Sequence, residues 1–335
     1  MFDLRDLDKP IVGAPMAGGP TTPELAAAVT NAGGLGFLAA GYRAPEDVEA
    51  QLRSVAGLTG GPVGVNLFVP DSFQPEPGLL DAYVESLRPE AAALGVEVGN
   101  PRNDDDGWDA KLAIVLEARP AAVSFTFGCP EASVLARMAG AGILPIVTVT
   151  TAAEAQCAVA AGARALAVQG PNAGGHRGTF SQQELPTDQL LEQTLASIRS
   201  VTGLPLAAGG GVAGPDDVGR LRAQGADAVQ VGTALLLADE AGTNPVHRAA
   251  LSNGQFTGTS LTRAYTGRYA RGLTNRFIRE HLDAPAGYPH LHHATAPLRK
   301  AAVAQGNPDV AHLWAGTGFA SAAAAPAASI IGSLA

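Results

Sequence analysis

Cysteine is almost missing from this chain: Cys129 and Cys157 are the only two among 335 residues. Two thiols make no disulfide framework, which points to a reducing, cytoplasmic setting. Basic clusters are missing as well. Asp and Glu outnumber Lys and Arg by 31 to 22, a net charge of −9. Neither nucleic acid nor an anionic membrane surface is expected as a partner. The opening residues MFDLRDLDKP carry acids and lack the apolar core of a signal peptide. No apolar run reaches the length of a membrane helix. A Gly-x-Gly-x-x-Gly pattern after the first apolar run is also missing, which counts against a Rossmann domain. What is present is a chain 46% hydrophobic and only 16% charged, able to bury a large core as a soluble protein.

Eight short apolar runs stand out, at residues 11–16, 35–40, 63–69, 121–127, 144–150, 165–169, 206–209 and 228–232. Most are apolar without alternation, the pattern of strands covered on both faces of a parallel sheet. Helical stretches separate them. Thr22-Pro23-Glu24 opens one that Gly33-Gly34 stops, and Pro45, Pro130 and Pro215 open others. The phrase "helix, Ala-Gly, strand" recurs at Ala32-Gly33, Ala141-Gly142 and Ala161-Gly162, with Gln224-Gly225 as a variant. Eight units of this kind predict an α/β fold, a closed (β/α)8 TIM barrel. Two stretches exceed a minimal barrel. Residues 70–120 are expected to hold a helix near 79–94, a solvated acidic turn at Asp104-Asp105-Asp106 and a helix near 108–117. After the eighth strand, residues 241–296 read as a small subdomain set over one end of the barrel. The barrel then takes 1–240 and 297–335, with its last helix at 297–305.

In such barrels the chemistry sits at the carboxyl ends of the strands, and phosphate binds at the loops after strands seven and eight. Those loops read Gly209-Gly210-Gly211-Val212 and Gln230-Val231-Gly232-Thr233. Glycine there frees backbone donors for a phosphate, and Thr233 adds a hydroxyl; the plainer reading is a pair of tight turns. Strand one ends in Ala14-Pro15-Met16, small enough for a flat ring to lie across. Asn66 and Gln169 are polar groups at the ends of apolar strands, each needing either a ligand edge or a backbone partner. After Gln169 comes the glycine-rich turn Ala173-Gly174-Gly175-His176-Arg177-Gly178. Its imidazole titrates near neutral pH, which suits a general base. A planar ligand with a single phosphate, such as flavin mononucleotide (FMN), satisfies all these positions together. The run His290-Leu291-His292-His293 has no acid or Cys to complete a metal set, so no metal is expected.

At this point the chain resembles a known family. Residues 10–19 (PIVGAPMAGG), 64–70 (GVNLFVP), 173–178 (AGGHRG), 230–233 (QVGT) and 271–277 (RGLTNRF) are similar, in content and order, to the class I nitronate monooxygenases, formerly 2-nitropropane dioxygenases. The resemblance runs from residue 10 to about 314 and is most specific at the His motif and at 271–277. It implies an FMN-binding TIM barrel that oxidises alkyl nitronates such as propionate 3-nitronate, and nitroalkanes, with O2 through a flavin semiquinone. It assigns His176 as the catalytic histidine. Ala14, Met16, Asn66, Gln169, Gly174, Gly175, Gly210, Gly211, Gln230, Val231, Gly232 and Thr233 are implied to contact the cofactor. Asn172 departs from the pattern, since the family more often has an acid there. A homodimer is the assembly to test. The competing reading is an NAD(P)H-dependent FMN reductase of enoyl thioesters or quinones. A sugar-phosphate isomerase or aldolase is a third, although Lys9, Lys111 and Lys300 all lie outside the strands, where no Schiff base would form.

Overall fold

The eight apolar runs pair in parallel and close on themselves. In the computed structural model, which describes Met1–Ala335, they form β1 (Ile11–Gly13), β2 (Gly36–Ala39), β3 (Val63–Phe68), β4 (Ala122–Thr126), β5 (Leu144–Val149) and β6 (Ala165–Gln169). A two-residue strand, β7 (Gly175–His176), stands apart, and β8 (Leu206–Gly209) and β9 (Ala228–Val231) complete the set. The order is β1-β9-β8-β6-β5-β4-β3-β2. Gly13 N donates to the Leu35 carbonyl (2.9 Å) and Leu35 N to that of Ile11 (3.0 Å), which brings β1 against β2 and shuts the barrel.

The barrel axis is filled by side chains, as this architecture requires. Val12, Phe37, Leu144 and Ile146 meet the small residues Ala122, Ala165, Ala167, Ala207 and Ala228, and Leu4 plugs the lower end. Phe37 needs the space left by Gly64, where a Cβ would fall 2.3 Å from its ring. The recurring Ala-Gly phrase also has a physical cause. Gly33, Gly142, Gly162 and Gly225 all sit at φ between +83° and +103°, the left-handed turn that ends each helix and returns the chain to the sheet. Thr22 and Thr151 cap helices Pro23–Asn31 and Ala152–Ala161 by accepting from Leu25 N (3.0 Å) and Glu154 N (3.2 Å).

Three expectations change. The helix near 79–94 is two helices, Pro77–Ser86 and Arg88–Ala93, because Pro89 has no amide proton to continue the first. The acidic turn is not wholly solvated. Asp106 pairs with Lys111 Nζ at 2.8 Å, and that lysine side chain is only 2% exposed. The last barrel helix is not at 297–305. A helix does cover those residues, but it runs His290–Ala304 with Pro297 inside it. Its Leu291, Ala294, Leu298 and Ala302 join Leu80, Leu87, Leu94 and Phe277 in a second apolar core beside the barrel. The eighth place in the helical ring goes to Ala327–Leu334, which packs between Pro23–Asn31 and Pro215–Ala223. The alanine-rich stretch before it carries no strong start signal, so the sequence pattern hides it. No helix is long and apolar enough to cross a membrane.

The segment after β9 contributes a hairpin, β10 (Thr259–Thr262) and β11 (Ala270–Leu273), and β11 pairs antiparallel with β7. The chain returns to the barrel where it left: Asp239 N donates to the Ala325 carbonyl (3.1 Å) and Ala327 N to Glu240 Oε2 (2.8 Å). Ile331 is fully buried under this last helix. Ile331→Ala should destabilise the fold by about 2–4 kcal/mol, read as a lower urea midpoint at unchanged m-value; an unshifted midpoint would place the helix outside the cooperative unit.

Candidate active site

At the carboxyl ends of the strands lies a cavity of about 220 Å³. Every candidate named above lines it: Ala14, Met16, Asn66, Gln169, Gly174, Gly175, His176, Gly210, Gly211, Gln230, Val231, Gly232 and Thr233. One flank is backbone. The amides of Gly210, Gly211 and Gly232 have no hydrogen-bond partner within the protein. Gly210 and Gly211 hold φ of +134° and +78°. A Cβ on Gly211 would lie 2.8 Å from that of Asn172, and one on Gly174 would lie 2.5 Å from Gly316 N. Residues 314–318 therefore close over the glycine loops, tied down by Gly316 N donating to Thr233 Oγ1 (2.9 Å) and Thr317 N to the Asn172 carbonyl (3.1 Å).

Asn66 and Gln169 take different answers to the question of what satisfies them. Asn66 Nδ2 donates to Ser124 Oγ (2.9 Å) and Thr126 Oγ1 (3.0 Å) on the neighbouring strand. Gln169 spends both ends on backbone: Nε2 donates to the His176 carbonyl (2.8 Å), and Oε1 accepts from Gly178 N (2.8 Å). It positions the histidine while lining the cavity.

His176 itself is not in a loose turn. It lies in β7, in register with Ala270, while Arg271 opposite Gly175 reaches back through Nε to the Pro171 carbonyl (3.0 Å). This accounts for the conspicuous 271–277 stretch, whose side chains fasten the small sheet to its surroundings. Gly272 lies against the Leu313 carbonyl, Asn275 Nδ2 donates to the Tyr265 hydroxyl (2.9 Å), and Arg276 grips Glu90 (2.8 Å). His176 Nε2 meets Thr266 Oγ1 at 2.9 Å, and Thr266 also approaches the Arg268 carbonyl at 3.2 Å. With the Thr266 hydroxyl turned to Arg268, Nε2 carries the ring proton and Nδ1 is an acceptor. With it turned to Nε2, the proton moves to Nδ1 and the ring presents a donor.

The expectation of a near-neutral pKa at His176 does not hold. Burial, reinforced by the Arg268 and Arg299 guanidinium groups, pushes it down to about 3. Those two cations are themselves buried. Arg268 is 1% exposed, donating to Thr179 and, at 3.3 Å, to Asp71. Arg299 has no carboxylate partner and is held by Thr295 and His292.

Several lining residues carry no signal in the sequence. Tyr42, Phe127, His247, His312 and Trp314 all face the cavity. Trp314 and Phe127 pack 5.5 and 5.6 Å from the His176 ring. His247 and His312 come from beyond the eighth strand, where no strand end marked them. His290 and His293 lie outside the cavity, and His293 Nε2 faces Asp104 at 3.3 Å.

A family model described as nitronate monooxygenase matches residues 3–335. The chain belongs to the nitronate monooxygenase family. It is 39% identical to a nitronate monooxygenase of Pseudomonas aeruginosa, an alignment covering 99% of this chain and 96% of that protein. A probable nitronate monooxygenase of Staphylococcus saprophyticus is 37% identical, over 93% and 90% of the two chains. Among solved structures, a nitroalkane oxidase from Streptomyces ansochromogenes superposes with a TM-score of 0.94 at 46% identity, covering 99% and 96%. FabK from Thermotoga maritima shares the fold, with a TM-score of 0.76 at 23% identity over 99% and 93%. Like its family, this chain is an oxidoreductase.

The histidines around this nitronate monooxygenase cavity make stability depend on pH. Burial drives His247 down to about 4, and His292 and His312 well below their usual range, alongside His176. Unfolding restores ordinary imidazoles near 6.5, so between those limits the unfolded chain binds more protons. The contribution is whole above pH 6.5 and is lost as pH falls toward 4. The urea midpoint should drop steadily from pH 7 to pH 4.5, and His247→Gln should flatten that slope; an equal slope in the variant would refute the assignment.

Proposed function

We infer that this chain is an FMN-dependent nitronate monooxygenase, with anionic alkyl nitronates as substrates and O2 as co-substrate. The observation that carries this reading is a cavity-lining imidazole with one nitrogen free, kept neutral by burial and by the buried Arg268 and Arg299 guanidinium groups nearby. Such a site favours a small anion, and it disfavours putting a further positive charge on the ring.

The cavity fits the cofactor. Unpartnered amides at Gly210, Gly211 and Gly232, with the Thr233 hydroxyl, would hold its phosphate, and the glycines leave the room that a phosphate needs. Ala14, Met16, Asn66, Gln169, Gly174, Gly175, Gln230 and Val231 would line the remainder. When bound, FMN would supply the electron-accepting chemistry that couples the oxidation to O2. The protein supplies binding, orientation and proton placement. A nitronate arrives already deprotonated, so the Nδ1–H form of His176 can donate to a nitro oxygen. A neutral nitroalkane must instead lose an α-proton to Nδ1. That step makes an imidazolium in the field of Arg268 and Arg299 and is correspondingly slow.

We also place the substrate-side unit around residues 241–296 and the FMN-binding barrel at 1–240 and 297–335, with helix His290–Ala304 lying in the former's core. A cytoplasmic setting agrees with the two unpaired cysteines.

The purified protein should be yellow, and under anaerobic conditions its flavin band should bleach with ethyl nitronate and persist with NADH. Colourless protein, or bleaching by NADH and not by nitronate, overturns the reading. His176→Asn should retain flavin, lose at least about 100-fold in kcat/KM for nitroethane and lose far less for ethyl nitronate; parallel losses would end its role as the base. Gly211→Val, which sets a branched side chain against Asn172, should be recovered without flavin.

A further inference from the structure

Tyr42 is absent from every motif above, yet it sits between two cavities. It lines the catalytic cavity with Phe68, and it also lines a surface pocket of about 320 Å³ with His292. Its ring is sandwiched accordingly. Phe68 meets it edge-on at 5.3 Å on the catalytic side, and His292 stacks on it at 4.1 Å with the planes 8° apart on the other. Tyr42 is the one side chain that lines both cavities, with His292 stacked behind it and lining only the outer one.

The ring is held there by construction. Tyr42 has φ of +66°, a left-handed backbone that costs a non-glycine residue about 1–2 kcal/mol. Two bonds from a buried ion pair impose it. Asp106 Oδ1 accepts from Tyr42 N (2.9 Å), and Lys111 Nζ donates to the carbonyl of Ala40 two residues earlier (2.9 Å) while paired with Asp106. Gly41 lets the chain pass close to Phe68, since a Cβ there would fall 2.2 Å from that ring. The Tyr42 hydroxyl is buried beside Tyr288 without a well-aligned hydrogen bond, so no polar contact at its tip explains the placement.

We propose that Tyr42 is a specificity-determining residue: its ring caps the catalytic cavity and sets how long an alkyl chain the bound anion can carry. The reactive head group lies by His176, and the tail points toward Phe68 and Tyr42. Removing the ring joins the cavity to the pocket behind it and admits a longer tail. This rests on the nitronate reading for its substrate class, and the test below separates the two.

The test is chain-length dependence, read in two ways on the flavin-loaded protein. First, kcat/KM is measured for the nitronates of nitroethane through nitrooctane. Second, calorimetry gives Kd for the n-alkyl carboxylates from acetate to octanoate, which share the planar anionic head and need no turnover. In the wild type, affinity should rise about fourfold per added methylene and then stop at a short chain. Tyr42→Gly, whose glycine suits the left-handed backbone, should move that limit outward by several carbons in both series. Tyr42→Phe should keep the wild-type limit. Adding Ala44→Trp, which fills the outer pocket from its exposed rim, to Tyr42→Gly should restore the short limit. An unchanged limit in Tyr42→Gly, or a shifted one in Tyr42→Phe, overturns the proposal. Should the wild type oxidise no nitronate, the functional reading fails while the carboxylate series still decides the role of Tyr42. If Tyr42→Gly does not fold, Tyr42→Leu should show a smaller outward shift, and its absence would count equally against the cap.

Discussion

The clamp that Gln169 places on residues 176–178 is the constraint on which the site depends. The chain leaves β6, loops out over the barrel and comes back to within hydrogen-bonding distance of the residue it left. Gln169 receives it with both ends of one amide, one on each side of Arg177. From the other side β11 pairs with β7, and Arg177 N donates to the Tyr269 carbonyl (2.8 Å). Neither support is a contact to the imidazole, yet together they leave that ring one place to be. A catalytic group must be fixed to within a fraction of an ångström to be useful. Here the Gln169 amide and the pairing of β11 with β7 do that.

The second physical theme is charge without nearby compensation. Arg299 is buried with only a hydroxyl, a carbonyl and a neutral imidazole as partners, and Arg177 is buried with two of its nitrogens unpartnered. Such groups are normally expensive, because a buried cation loses its hydration. Arg299, with Arg268, lies near enough to His176 to oppose its protonation although the whole chain is acidic. Net charge describes the surface; the imidazole of His176 is instead held neutral by burial and by two arginines the surface does not show.

How much of this was legible beforehand follows from what kind of signal each part leaves. The barrel strands are doubly buried, and double burial writes itself as uninterrupted apolar runs, so all eight are visible. The glycine loops are visible because left-handed backbone and close approach exclude other residues. Gln169 stood out as a polar group at an apolar strand end, and it lines the cavity while both ends of its amide hold backbone. The reading failed where packing alone decides. Nothing local to Tyr42 says that Lys111, some seventy residues on, will pin its backbone. His247, His312 and Trp314 reach the cavity from a segment with no strand end to mark them. The pKa of His176 could not be read either, since it depends on arginines about ninety and about one hundred and twenty residues away. The eighth helix was missed because alanine-rich sequence is compatible with helix anywhere and insists on it nowhere.

That eighth helix bears on how the architecture tolerates change. Strand β9 and helix Ala327–Leu334 belong to one βα unit, yet everything from the hairpin to Trp314 is threaded between them, and the exit and re-entry points touch at Asp239–Ala325 and Glu240–Ala327. An excursion whose two ends are stapled side by side can grow or shrink at little entropic cost to its host, since closure entropy rises only logarithmically with length. The stapled ends thus leave the length of the excursion free, whereas β11 on β7 and Gly316 on Thr233 fix where it meets the glycine loops.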